Sequence, residues 1–254
     1  MTGRALWHKE GLEAVRTYKV LFLPVVFVLL AVGQPLTLHF MPDILDRAGL
    51  PEGTVIQIPV PPPEEVVASV FEVFDQMGVL IAVLAVMGVI GREIELGQTA
   101  YLLTLGITRR RYLLTKWVVL SAVVLGSVVL GVWGATWYTV QLFGALSWGQ
   151  VTLAALCYGA YATFVVALTL AFSAALNSSW GAGVSAVAFV IALGVVSLVA
   201  PGTADWLPSS AAGAAREAVA GNALAAVMTG LLVTGAWIAL ALGAAHLVLR
   251  RREL

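Results

Sequence analysis

Charge is the first thing this sequence lacks. Only 11% of its 254 residues are Asp, Glu, Lys or Arg, and 14 basic side chains are balanced by 14 acidic ones. Soluble domains carry about 25% charged residues, so this composition excludes a soluble globular enzyme and a disordered chain. A nucleic-acid partner is excluded as well, because it needs a basic surface and the formal net charge is zero. A single cysteine, Cys157, leaves no intrachain disulfide framework or cysteine-based metal site. From Trp117 to Ala204 there is no Asp, Glu, Lys, Arg or His. No G-x-x-x-x-G-K-S/T phosphate loop, H-E-x-x-H or G-x-S-x-G motif occurs, which removes the usual signatures of ATP, zinc-hydrolase and serine-hydrolase chemistry.

What is present is apolar length. Hydrophobic residues make up 60% of the chain, and the mean hydropathy is +0.96. About 20 apolar residues cross a bilayer, so the uncharged stretch holds three spans, broken at Phe143–Gln150 and at Asn177–Trp180. Val20–Phe40, Gln76–Gly91 and Asn222–Leu249 supply three more. Val20–Phe40 is longer than the about 7–15 residues of a signal-peptide core and is read as a permanent span. Gln76–Gly91 is short, and is expected to extend upstream as one helix from Pro63. Proline suits a first helical position, and Glu64 and Glu65 suit a helix N-terminus. The predicted class is an all-α polytopic membrane protein forming one transmembrane domain. Its spans are placed at 20–40, 64–91, 117–142, 151–176, 180–200 and 222–249.

Basic residues orient these spans. The tail 1–19, the segment 92–116 and the C-terminal end together carry twelve of the fourteen Lys and Arg; only Arg47 and Arg216 lie on the other side. Both termini are therefore expected in the cytoplasm, with 41–63 and 201–221 as extracytoplasmic loops. The first of these is extended by Pro59 and Pro61–Pro63. In the second, Ala211–Ala220 reads as a short helix capped by Ser209 or Ser210 and ended by Gly221. The first outer loop, read as far as Asp75, collects Asp43, Asp46, Glu52, Glu64, Glu65, Glu72 and Asp75, leaving no acidic residue assigned to a span interior. His39 and His246 fall near span ends and read as interface residues.

Residues 4–19 are amphipathic. Trp7, Leu12, Val15 and Tyr18 share one arc, opposite Lys9, Glu10, Glu13 and Arg16. This pattern predicts an N-terminal helix lying in the membrane interface. Small residues recur in the spans, among them Gly126, Gly131, Gly134, Gly159, Gly183 and Gly235, as close helix packing in lipid requires.

The segment between spans two and three carries the most specific signal. Gly97 and Gly106 bracket a helix of about two turns whose apolar set is Tyr101, Leu102 and Leu105. Glu93 and Glu95 precede it, and Arg109–Arg111 and Lys116 follow, in keeping with the helix dipole. An apolar set of this kind suits a partner groove.

The same segment resembles the first cytoplasmic loop of the type-2 permeases of ATP-binding-cassette (ABC) transporters. The family pattern E-x-x-x-G-T, Leu-Leu, Pro-x-Ser-Arg and a final Lys is matched by Glu93, Gly97, Leu102, Leu103, Thr108, Arg109 and Lys116, with Gln98 in place of Thr and Gly106 in place of Pro. The resemblance implies a coupling helix that docks on a separate ATPase. Its ATPase-coupling residues are Glu93, Glu95, Gly97, Tyr101, Leu102, Leu105, Gly106, Arg109 and Lys116. It also implies ATP and magnesium on a partner ATPase dimer, with no catalytic residue, cofactor or metal on this chain. A second permease copy or a paralogue, and a prokaryotic plasma membrane, are implied too. The expected activity is export of an amphipathic or hydrophobic substrate. A membrane anchor or mechanical transducer driven by the same ATPase is the alternative, and an ATP-independent channel a third reading. Reporter fusions after Asp75 and after Asp205 are expected to read as external; an internal signal at either position contradicts this topology.

Overall fold

The computed structural model describes residues 3–47, 61–176, 178–221 and 224–251. Glu52, Pro59, Asn177, Asn222 and Arg252, which entered the sequence reading, lie outside them. Among the described residues the fold is all-helical, and six helices are long and apolar enough to cross a membrane. Helix α1 is Gly3–Arg16 and α2 is Lys19–Arg47. The second span is segmented: α3 (Pro63–Val73), a wide π turn (Phe74–Gly78), α4 (Val79–Val86) and α5 (Val89–Glu95). The short α6 (Gln98–Thr104) precedes α7 (Arg109–Leu142), α8 (Trp148–Ala175) and α9 (Ser179–Val199). A 3-10 turn (Pro201–Trp206), α10 (Ser209–Val219) and α11 (Leu224–Arg251) complete the described chain.

Local chemistry sets the boundaries. Pro63 opens α3 with Glu64 and Glu65 in its first turn. Thr108 caps α7, its side chain accepting the Arg111 N–H at 3.3 Å, so this helix already begins within the basic run. Ser178 caps α9 through the Gly181 N–H at 3.2 Å. Ser209 and Ser210 are not caps: both lie inside the first turn of α10, whose N-cap position is Pro208, with no side-chain cap bond. The chain reverses there through the fixed φ of proline. Gly221, just past the helix end, adopts φ +86°, a left-handed conformation that glycine takes without steric cost.

Helix α8 is the centre of the bundle. In its apolar stretch 72% of residues are buried, against 17% in α9 and 22% in α2 and α11. It packs on α7, α9, α10, α11 and α4. Lipid supplies no hydrogen bonds, so buried hydroxyls are satisfied within the helices. Thr136, Thr139 and Thr169 donate to the carbonyl four residues back at 2.7–2.8 Å. Ser173 of α8 does more. The second span breaks at Gly88, whose position caps α5 without a side chain. The freed Ile90 and Gly91 N–H groups donate to Ser173 Oγ at 3.2 and 3.1 Å. Ser173 is therefore an N-cap supplied by a neighbouring helix, and it fixes the end of the span that carries Glu93.

The small residues differ in what they approach: Gly159 and Gly183 sit against the side chains of Leu125 and Met87, and two others meet backbone. A Cβ on Gly131 of α7 would lie 2.9 Å from the Phe27 carbonyl oxygen of α2, and one on Gly230 of α11 would lie 3.0 Å from Ala211 Cα of α10. These two glycines are close approaches of backbone to backbone, as small residues allow in membrane bundles. Gly126, Gly194, Gly235 and Gly243 meet nothing within 4 Å. Gly131→Leu is therefore expected to destabilise the bundle by about 1–3 kcal/mol through overpacking, read as a lowered melting temperature in detergent. Gly126→Leu serves as the neutral control; equal behaviour of the two variants contradicts this packing.

Candidate functional site

The end of the bundle richest in Lys and Arg holds a buried charge network. It is assembled from α1 (Lys9, Glu10, Glu13), α5 (Glu93) and the first two turns of α7 (Tyr112, Lys116). Lys116 is fully buried, yet its ammonium lies 2.8 Å from Glu10 Oε2 and 2.9 Å from Glu93 Oε1. Glu93 Oε2 accepts the Tyr112 hydroxyl at 2.5 Å, and Thr99 Oγ1 lies 3.4 Å from the same hydroxyl. Lys9 closes the ring on Glu93, on Glu10 at 3.0 Å and on Glu13 at 2.9 Å. Lys116 also lies over the Tyr112 ring one turn before it, 5.2 Å from its centre, within cation–π range.

Two ammonium groups thus face three carboxylates, of which Glu10 and Glu93 are buried and Glu13 stays partly in water. Burial pulls the Lys9 ammonium down, but Glu93, Glu13 and Glu10 outweigh it and hold the group above its ordinary range. Lys9 therefore remains charged at neutral pH. Its contribution is complete below the ordinary lysine range and is lost only as pH rises through the raised value. The carboxylate oxygens of Glu10, Glu13 and Glu93 lie within 4.8 Å of one another, a spacing able to hold a metal ion. Lys9 and Lys116 already supply the positive charge there.

An apolar cluster underlies the network: Leu6 of α1, Leu102 of α6, Ile107 and Tyr112. Together the two layers join α1, α5, α6 and the start of α7. The turns that permit this are Gly97 and Gly106, at φ +69° and +80°, one on each side of α6. Arg109 reaches the other way and donates to the Leu249 carbonyl near the end of α11, where unpaired carbonyls attract a cation.

The sequence-derived site residues consequently separate. Glu93, Lys116 and Leu102 are turned inward, only 4%, 0% and 8% exposed, so they are not presented on the surface. For Leu102 this corrects the expectation of a groove anchor: it is already covered by Leu6, Ile107 and Tyr112. Glu95, Gly97, Gly106, Arg110 and Arg111 are exposed, and Leu105 and Arg109 are partly so. Tyr101 is 66% exposed and Leu96 61%, leaving an apolar surface flanked by acidic and basic groups. Trp7, Leu12 and Val15 of α1 and Tyr18 in the turn after it face outward, while Lys9 and Glu10 of the polar arc reach Glu93 and Lys116. Composition marked that arc as polar but did not reveal its partner. Lys9, Glu10, Glu13 and Tyr112 are the members that sequence reasoning did not place in the site.

A second charged cluster lies toward the opposite end. Asp75, assigned to the outer loop, falls within the span Pro63–Glu95, in the π turn. One of its oxygens accepts the Tyr158 hydroxyl at 3.0 Å, and the other accepts Arg216 of α10. Phe71 and Phe74 pack on the Tyr158 ring at 5.3 and 5.7 Å between centres. The signal was available: Gln76–Gly91 is too short to span, so the membrane segment had to reach back past Asp75.

Comparison with known proteins agrees with this architecture. The family model described as "ABC-2 family transporter protein" matches residues 4–254. The chain is also similar to the uncharacterized transmembrane protein YxlG of Bacillus subtilis (strain 168), with 29% identity over 206 residues, 81% of this chain and 80% of that protein. With its six apolar helices and a family match over nearly its whole length, the chain belongs to the ABC-2 family of transporter proteins as a membrane component.

Proposed function

We propose that the chain is the membrane-spanning permease subunit of an ABC exporter, working with a second permease copy or a paralogue and driven by a separate ATPase dimer. The observation that carries this reading is the exposed segment held by the buried network. Tyr101 is exposed on the short α6, with Leu96 exposed just before it and Leu105 partly exposed just after it, and the helix is anchored on its other side through Leu102. The surface offers a groove-filling aromatic, and Glu95, Arg110 and Arg111 provide rim charges. The network beneath it converts a push on α6 into displacement of α1, α5 and α7 as one body. In this reading Glu93 and Lys116 act by rigid connection rather than by touching the partner.

The cargo proposed is amphipathic or hydrophobic. Asp75, the carboxylate deepest in the second span, is paired with Arg216, Glu72 one turn nearer the outer end is exposed, and between Asp75 and Arg92 the span presents neutral side chains. A solute with a net charge finds no free counter-charge there. Outward export, ATP use on the partner and a prokaryotic plasma-membrane location follow from the family reading.

The docking face is tested by pull-down with the partner ATPase. Tyr101→Asp is expected to leave a protein that inserts and folds but loses the ATPase, because a carboxylate would be buried without a partner. Arg110→Ala is expected to weaken binding only modestly and in a salt-dependent way, as rim charges do. Full ATPase binding by Tyr101→Asp, together with loss in Arg110→Ala, contradicts apolar docking and makes the contact electrostatic. Leu102→Asp is not a docking test, since it strikes the Leu6–Ile107–Tyr112 cluster and so the fold of the unit itself.

A further inference from the structure

Beside the charge network a cavity of about 1440 Å³ opens between α1, the start of α2 and the α4–α5 segment. Lys9, Arg16, Lys19 and Arg92 line it, with Glu13 and Glu93. The two carboxylates are already engaged by Lys9, and Glu93 by Lys116 as well. Arg16, Lys19 and Arg92 form no ion pair among the described residues, so the uncommitted charge of this cavity is positive. A second cavity of about 320 Å³ lies between α4 and α9 and is walled by apolar side chains, Leu80, Val184, Val187 and Ile191 among them. Leu84 and Met87 line both cavities. The two therefore adjoin across these side chains: a basic chamber at the Lys/Arg-rich end lies beside an apolar groove. From Met87 to Leu80 that groove runs about 10 Å along α4, toward the middle of the bilayer. Trp180, at the boundary, is placed as interfacial tryptophans are.

We propose that this composite cavity binds one anionic phospholipid, its phosphate against Arg16, Lys19 and Arg92 and an acyl chain in the α4–α9 groove. A free anion would use the chamber but leave the groove empty, and an apolar ligand would leave three cations without counter-charge. Only a molecule with a negative head and an apolar tail satisfies both halves, and the surrounding membrane supplies it. The proposal uses the permease reading only to name the leaflet, the cytoplasmic one.

The test is native mass spectrometry of the full chain in detergent, offered dioleoylphosphatidylglycerol, dioleoylphosphatidylcholine or inorganic phosphate, with no ATPase present. Its failure therefore leaves the docking reading untouched. Phosphatidylglycerol is expected to be retained at least roughly tenfold better than phosphatidylcholine, in line with the contribution of basic side chains to anionic-lipid binding. The triple variant Arg16→Gln, Lys19→Gln, Arg92→Gln is expected to lose that preference, and the charge-preserving set Arg16→Lys, Lys19→Arg, Arg92→Lys to keep it. Ala188→Trp, at an exposed position in the groove wall, is expected to weaken retention of phosphatidylglycerol while the protein melts normally. Equal retention of the two lipids by the natural chain, or a preference surviving the glutamine variant, overturns the proposal. So does inorganic phosphate binding as tightly as the lipid, or Ala188→Trp leaving lipid retention unchanged. Dimerisation that expels the lipid overturns it too, and makes the groove a contact between copies.

Discussion

Lys116 occupies the point on which the basic end of this molecule depends. A fully buried ammonium is tolerable only with carboxylates at hydrogen-bond distance, and Glu10 and Glu93 meet that requirement from two different helices. Removing one partner from such a pair leaves an uncompensated charge and costs about 3–5 kcal/mol. The constraint is therefore geometric as much as energetic: α1, α5 and α7 cannot separate without stranding a charge. Everything else at this end is built on that junction, from the Leu6–Leu102–Ile107–Tyr112 cluster beneath it to the exposed face of α6. Ser173 completes it by capping α5 from α8, which ties the junction to the most buried helix of the bundle.

The opposite end repeats the logic with fewer charges. Asp75 and Arg216 pair, Tyr158 donates to Asp75, and an aromatic layer surrounds them. The π turn at Phe74–Gly78 adds a residue to one helical turn, an irregularity often found at functional positions. Here it holds the carboxylate that fastens α10 to the second span. Between the two ends, the apolar middle is held by shape, with Gly131 and Gly230 letting backbones approach where a side chain would block them. The faces left uncovered on α2, α9 and α11 are surfaces for lipid and, in the proposed assembly, for a second copy.

Much of this architecture is legible in the sequence, for physical reasons. A run of about 20 apolar residues has few stable solutions in a bilayer other than a helix, so the six helices could be counted without coordinates. Gly97 and Gly106 marked the turns around α6 because a positive φ favours glycine. Orientation within the site was not legible. Tyr101 and Leu102 are neighbours on one helix, and only the arrival of Leu6 from α1 decides which one is covered. Glu93 and Lys116 were recognised as belonging together, but a charge pattern does not say whether it faces a partner protein or its own chain. Glu10 looked like one more residue on a solvated arc until Lys116 was placed beside it. Asp75 was counted with the acidic outer loop although the same reading ran one helix from Pro63 through it; what the sequence did not show were its partners, Tyr158 and Arg216.

The central claim, that Lys116 locks α1 onto the α5–α7 end, is tested most directly by hydrogen exchange of the α1 amides. In the natural chain Gly3–Arg16 is expected to exchange slowly, opening only when the network breaks. In Lys116→Met, α1 is expected to exchange roughly 100-fold faster or more, the consequence of stranding Glu10 and Glu93, while α8 stays protected. Unchanged protection of α1 in that variant would contradict the account and make the charge network incidental to the position of the helix.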